Sequence, residues 1–427
     1  MGLIQSIAAA ARRRDFNLGI VNGVLFAGVD TLLDPSLVLV TFASFLTDSH
    51  ILLGLVYPLS QAGWYLPQLW VSGWFQSRPK ALPIYRAMAV IRMICLILLA
   101  LTAYAVKDKG WQLLLFFSLL MANQLASGFG GLSFMDVVAK VVPPGQRGLF
   151  FSWRLSLGSL LGVGAGVWVR NLLSDASPIR FPNNFALMFA VASALAAVAM
   201  AAFAAVREPA NAALVDRAGL LTQLGRARGA LRTDPNFRHF LRLRLALIAG
   251  SMATPFFTIF AAQRLQVAPG AVGIFLSANI AASLVAYVVW GQLSARRGNR
   301  LVLRFGAVMG VIVLAIVLAV WPLSRLLGAQ TLFVLIFILV GVRDAAVGVS
   351  LGSLLLDMAP AAARSLYVGF TNTLVGITVL LTGVGGFIVD GAGFPALFVI
   401  SLLAYAAATW AIWRFREQPL PAQAASA

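Results

Sequence analysis

The stretch "GWFQSRPK" (residues 73–80) returns later in the chain as "GQLSARRGNR" (291–300), and each copy lies between two long apolar runs. Gly73 and Arg78 of the first copy correspond to Gly291 and Arg296 of the second, 218 positions further on. Two other landmarks keep nearly the same offset. Pro143 and Arg147 in "VVPPGQRGLFF" (141–151) return 217 positions on as Pro360 and Arg364 in "MAPAAARSLYV" (358–368). Asp34-Pro35 is echoed by Thr254-Pro255 at an offset of 220. The chain is therefore a duplicated unit of a little over 200 residues. Repeats that read in the same direction imply two halves related by an axis along a membrane normal.

Composition identifies the solvent of those halves. Hydrophobic residues make up 60% of the 427, charged residues only 11%, and the mean hydropathy is +0.90, which no soluble domain of this length sustains. Apolar stretches of about 20 residues, enough to cross a bilayer, recur throughout. Twelve are read: 18–46, 52–75, 82–106, 111–139, 149–171, 184–206, 239–262, 270–293, 301–323, 330–358, 365–388 and 393–413. Backbone groups in hydrocarbon must bond within their own segment, so these spans are helices; the alternation of a membrane barrel is absent.

A net charge of +18 raises the question of a nucleic-acid partner, and its distribution answers it. With the N-terminus on the cytoplasmic side, 23 of the 32 basic residues fall in cytoplasmic segments, among them Arg12, Arg13, Arg14, Arg78, Lys80, Lys140, Arg147, Arg296 and the eight arginines from Arg207 to Arg244. Six fall on the opposite side: Lys107, Lys109, Arg170, Arg180, Arg264 and Arg325. This is the positive-inside bias; it predicts cytoplasmic termini and no nucleic-acid partner. The expected setting is the inner, cytoplasmic membrane of a bacterium. Met1-Gly2 with Ser6 and the Arg13-Arg14 pair are weak matches to lipidation and export signals, but the span that follows is too long for a cleaved leader and carries Asp30 and Asp34. With Cys95 alone there is no intramolecular disulfide, and neither His50 nor His239 has a nearby ligand pattern, so no metal site is expected.

The expected organisation is a cytoplasmic segment (1–16), a first six-helix bundle (17–206), a cytoplasmic linker (207–238), a second bundle (239–415) and a tail (416–427). Within the linker, Leu220, Leu224 and Leu231 have helical spacing beside Arg226, Arg228 and Arg232, which suits a short amphipathic helix on the membrane face. No phosphate-binding glycine loop followed by Lys is present, so direct driving by ATP is not expected.

With these residues in view the chain resembles the major facilitator superfamily over about residues 16–415. That family's loop motif reads Gly-x-Leu-x-Asp-Arg-x-Gly-Arg-Lys/Arg. The copy after the eighth span keeps Gly291, Leu293, Arg296, Gly298 and Arg300, with Ala295 in place of Asp; the copy after the second keeps Gly73, Arg78 and Lys80, with Ser77 in place of Asp. The phrases from Pro143 to Gly148 and from Asp234 to Arg238 are similar to the family's as well. The resemblance implies an all-α integral membrane protein whose twelve transmembrane helices form two parallel-repeat six-helix bundles, the major facilitator fold. It also implies a central cavity lined by the first, fourth, seventh and tenth helices. Gly73 and Gly291 would allow close helix approach, and Arg78 and Arg296 would bond at the cytoplasmic helix ends, with Asp136 and Asp357 as partners. Such contacts would gate the cytoplasmic side; alternatively the arginines only fix topology. In the fifth span Gly158, Gly162, Gly164 and Gly166 form a small-residue face for packing, and Val163, standing where drug exporters have Pro, does not support that subclass.

Polar groups inside the spans carry the functional reading, because the bilayer charges a few kcal/mol for each ionisable one. The first span has Asn22, Asp30 and Asp34 on one face; the fourth has Asn123 and Gln124; the seventh has Ser251, Thr254 and Thr258; the tenth has Arg343 and Asp344. Arg154 and Asn372 add to them. Neighbours on a helix point about 100° apart, so Arg343 and Asp344 are not expected to pair side by side. Arg343 is then an anchor for an anionic or zwitterionic solute, or a partner of Asp30 or Asp34 across the bundle interface. The two aspartates, at i and i+4, are expected within reach of one another and of a shared proton. Asp30 ranks first as proton carrier, because Asp34 is placed to cap a helix restarting at Pro35, an arrangement that Thr254-Pro255 would repeat with a neutral cap. The expected function is a monomeric secondary transporter of a small solute, working by alternating access and coupled to protons, with no cofactor and no enzymatic constellation. The rivals are a lipid or lipophile translocator of the same fold and a non-transporting assembly or receptor protein.

Overall fold

The computed structural model describes residues 2–68, 78–143, 146–210, 219–360 and 364–414, and among them all regular structure is helical. The first half comprises α1 (Gly2–Leu32), α2 (Val38–Ser44), α3 (His50–Tyr65), α4 (Leu82–Ala105), α5 (Lys109–Val141), α6 (Arg147–Leu173) and α7 (Asn183–Ala204). After α8 (Leu220–Thr233) the second half comprises α9 (Pro235–Gly250), α10 (Phe256–Leu265), α11 (Ala271–Arg297), α12 (Asn299–Leu318), the short α13 (Val320–Leu327), α14 (Ala329–Met358), α15 (Arg364–Leu381) and α16 (Val384–Arg414). Eight helical stretches among the described residues are long and apolar enough to cross a membrane, the last of them, Leu366–Trp413, holding the eleventh and twelfth spans together.

The first span corrects the expectation of one helix over 18–46. Pro35 has no N–H to give and biases the residue before it away from helix, so α1 stops at Leu32. The Asp34 carboxylate then accepts N–H bonds from Ser36 (2.9 Å) and Leu37 (2.8 Å), and the chain restarts as α2. The seventh span breaks at the equivalent place, between α9 and α10, through a 3₁₀ turn at Ser251–Ala253. Here the expected capping role fails: Thr254 makes no cap bond, and its hydroxyl receives the Arg343 guanidinium instead, at 3.4 and 3.5 Å. At Gly393 the backbone turns through φ 81°, a conformation glycine tolerates, and the boundary between the last two spans falls inside α16.

Duplication is visible in the packing. In the first half α4 packs on α5 and α7, α1 on α6 and α7, and α3 on α5. Each pair recurs in the second half: α12 on α14 and α16, α9 on α15 and α16, and α11 on α14. The halves meet through α6 against α11 and α3 against α15 and α16, themselves equivalent pairs with the order reversed. A dyad between two parallel repeats has this signature. Outward faces are apolar: α4 exposes Ile91, Ile94, Leu98 and Leu101 while it buries Leu96 and Leu99, as a helix between lipid and protein should.

Candidate functional site

Within the first half α1, α3, α4, α5 and α6 enclose a cavity of about 600 Å³, lined by Asn22, Phe26, Asp30, Asp34, Gln61, Trp64, Tyr65, Tyr85, Arg92, Asn123, Gln124, Phe134 and Arg154 among others. Asp30 lies deep in the bundle yet is exposed to this space. Among the described residues it makes no hydrogen bond and no ion pair, although Arg92 and Arg154 lie within electrostatic range. Both guanidinium groups are held from elsewhere. Arg92 lies over the Phe26 ring (4.8 Å to the centroid) and its Nε donates to the Asn123 side-chain oxygen at 3.4 Å. Arg154 lies over Phe134 (4.6 Å) and Phe150 (5.4 Å), and its Nη1 donates to the Gly19 carbonyl and, at 3.2 Å, to the Asn22 side-chain oxygen. The Asn22 amide in turn donates to the Ala199 carbonyl (2.8 Å) and the Tyr85 hydroxyl (3.2 Å). On α5 the Asn123 amide donates to Gln124 Oε1 at 3.1 Å, and Gln124 Nε2 donates to the Ser60 carbonyl. Stacking and hydrogen bonds thus orient two cations toward one cavity while their acid stays free.

The other expected residues are placed differently. Arg343 is buried, lies 5.6 Å over the Tyr405 ring and pairs with Asp344: Nη2 and Nε each lie 2.8 Å from Oδ1. The expectation that these neighbours would not pair is corrected, because the long arginine side chain curls around its own helix to reach the carboxylate. No ion pair with Asp30 or Asp34 replaces it among the described residues. Asp344 remains more than half exposed, its side chain at 56%, and lies within electrostatic range of Asp34 across the two halves. Asp30 and Asp34 also sense each other, but no hydrogen bond joins them, because the helix that would have aligned them ends between them. Asn372 does not line the cavity; its amide donates to Gln68 Oε1 (2.8 Å) from the opposite half.

Of the gating residues, Gly73 lies outside the described residues, as does the side chain of Asp357. Arg78 and Arg296 are exposed. Asp136 joins Lys140 one helical turn along (2.5 Å). Gly291 has open space where close helix approach was expected; the tight contacts between halves are made instead by Gly166 against Ser277 and by Gly273 against the backbone of Gly166 and Arg170.

Sequence reasoning passed over two features. Arg92 sits in the middle of the third span, and the charge count already isolated it: the arginines assigned to neither membrane side are Arg92, Arg154 and Arg343. His50 shows no ligand pattern in sequence, yet its Nδ1 lies 2.6 Å from the Asp390 carboxylate and its Nε2 lies 3.1 Å from Gln263 Oε1, both in the other half. These partners are over 200 residues away, so no local pattern could reveal them.

Cross-bundle contacts run along the seam: toward the far end of α3 Thr373 donates to the Leu66 carbonyl (3.4 Å) and Gly376 lies against Tyr65 and Leu66, and a second group lies at the start of α3. There Thr258 donates to the Ser36 carbonyl (3.3 Å), His50 meets Asp390, Gly386 lies against His50 and Ile51, and Gly270 lies against Ser174.

Comparison with known proteins agrees with this geometry. Residues 245–427 match the family model described as Major Facilitator Superfamily. No curated protein is a significant sequence match. The fold is similar to that of the nucleoside transporter NupG, with a TM-score of 0.71 at 16% identity over 94% of this chain and 99% of that one. It is similar too to a bacterial homologue of the iron transporter ferroportin in its inward-facing state (0.69, 13%, covering 94% and 98%) and to a D-xylose–proton symporter (0.66, 14%, covering 96% and 98%). The match to the Major Facilitator Superfamily covers the second half, and the repeat of packed helix pairs with the interrupted first and seventh spans carries the same fold through the first half.

Proposed function

We propose that the protein is a proton-coupled secondary transporter of a small solute, with its arginine-rich end in the cytoplasm and Asp30 as the proton-carrying group. One observation carries this reading. A free carboxylate stands in a cavity inside the bilayer-spanning part of the chain, where an unpaired charge is costly and therefore functional by default. Asp34 is the poorer candidate, because its carboxylate is spent on the Ser36 and Leu37 amides. Asp344 is the poorer candidate too, because it balances Arg343. The interface between halves supports alternating access: α3–α15 and α6–α11 are equivalent pairs about which the bundles would rock, with the His50–Asp390 contact closing one end. The test is uptake into proteoliposomes under an imposed pH gradient, set beside solute exchange at equal pH. Asp30→Asn is expected to lose gradient-driven accumulation and to keep exchange; normal accumulation by that variant would remove Asp30 from the mechanism. The gate assigned to Arg78 and Arg296 belongs to the same reading. Arg296→Ala is expected to raise cytoplasmic access to the cavity, measured by spin-label distances, and unchanged distances would leave that arginine a purely topological role.

A further inference from the structure

We propose that Arg92 and Arg154 form a carboxylate site: together they hold one monovalent organic anion, and Asp30 takes up a proton as that anion binds. The inference rests on the proposed carrier function and names the substrate class of the same cavity.

Donors come first. A guanidinium has five N–H groups, and Arg92 commits only Nε and Arg154 only Nη1 to partners among the described residues. Phe26 covers a face of one and Phe134 a face of the other, which leaves the in-plane N–H edges for an acceptor. A carboxylate fits such an edge with two parallel bonds. Charge decides the valence. The cavity holds two arginines and two aspartates, Asp30 and Asp34, so it is neutral as it stands. One bound monoanion would leave it negative unless a proton arrives; with Asp30 protonated and the anion on the arginines, neutrality is restored. A dianion leaves an uncompensated charge, and a neutral solute gives the proton no reason to bind, both at the cost of charge in a low-dielectric space. Proton and anion therefore enter together, one of each, and the step moves no net charge. The remainder of the lining, with Phe26, Trp64 and Phe134, suits an apolar or aromatic body, and about 600 Å³ suits a molecule of metabolite size.

The experiment measures thermal stabilisation of the purified full-length protein in detergent by a panel of monocarboxylates, from acetate through benzoate to indole-3-acetate. The matching primary amides and amines serve as controls, in mildly acidic and mildly alkaline buffer. At least one monocarboxylate is expected to raise the melting temperature, more so at the acidic pH, while its amide and amine do not. Arg92→Gln and Arg154→Gln are each expected to abolish the shift, and Asp30→Asn to keep it and flatten its pH dependence. Absence of stabilisation by every acid in the panel, or equal stabilisation by the amides, overturns the carboxylate site on the wild-type protein alone, whether or not the arginine variants fold. Binding here needs no gradient. A protein that binds monocarboxylates but never accumulates them in liposomes fails only as a carrier, whereas one that accumulates another solute without binding carboxylates fails only this inference.

Discussion

A single carboxylate, Glu208, ties three elements together at the arginine-rich end. Its two oxygens accept the Ala81 and Leu82 amides (2.8 and 2.7 Å), which are orphan donors at the start of α4, and one oxygen also meets Lys140 of α5 at 2.6 Å. The acid is buried, at 7% exposure, so its removal leaves two amides without partners and a largely buried ammonium with Asp136 alone. Glu208→Ala is expected to cost on the order of 3 kcal/mol, with Glu208→Gln intermediate, read as a fall in the detergent unfolding midpoint. A variant as stable as wild type would show that water replaces the carboxylate. At this scale the sequence was only partly legible. Asp30, Asn123 and Gln124, which all line the cavity, stand out in the sequence as polar residues in apolar spans. Arg92 obeys the same rule but lies in α4, which is not among the four helices that line the cavity in the resembling family. The Arg343–Asp344 pair was misjudged because helix geometry fixes where Cβ points, not where a long flexible arginine ends.

Elements were more legible, because their causes are local. The break at Asp34-Pro35 follows from proline chemistry, and the acid holds the turn that leads into α2. Asp34→Ala is expected to cost about 1 kcal/mol, through loss of the two side-chain bonds to the turn amides, and to loosen the entry to α2. Hydrogen exchange of the Ser36 and Leu37 amides would report it, and unchanged protection would deny the carboxylate its role. The glycines of the fifth span were legible as a packing face, but their partners were not. Gly158 lies against Ala27 and Gly162 against Thr31, both in α1, whereas Gly166 lies against Ser277 of α11 in the other half. One helix face therefore cements its own bundle at one end and the inter-bundle seam at the other. The seam tolerates no added atom: a Cβ on Gly273 would stand 2.5 Å from the Gly166 carbonyl oxygen and within clash distance of the Arg170 amide, whereas Gly164 has nothing within 4 Å. Gly273→Ala is expected to lower the unfolding midpoint measurably while Gly164→Ala leaves it unchanged. Equal effects at the two positions would show that the seam gives way without cost.

For the molecule as a whole, the offset of about 220 residues was enough to anticipate the two-fold arrangement, because a duplicated sequence with duplicated breaks must repeat its packing. The seam between halves was not legible, since Ser36–Thr258, Gln68–Asn372 and His50–Asp390 each join residues more than 200 positions apart. It is also the part that function must break. Both ring nitrogens of His50 face side-chain oxygens of the other half, so the imidazole holds α3 to α10 and α16 at the closed end. If the bundles rock, positions 50 and 390 must separate in every cycle. With Cys95 replaced by Ser, the pair His50→Cys and Asp390→Cys is expected to transport solute when reduced, to stop when oxidised to the disulfide, and to recover with reductant. Either single replacement should weaken the closed end and shift the balance toward its open form without abolishing turnover, because the glycine contacts at Gly386 and Gly270 remain. A cross-linked protein that turns over at the reduced rate would mean that this end never opens. The rocking of two rigid bundles would then have to be abandoned in favour of movement confined to the first half, where the cavity, Asp30 and the two arginines already lie together.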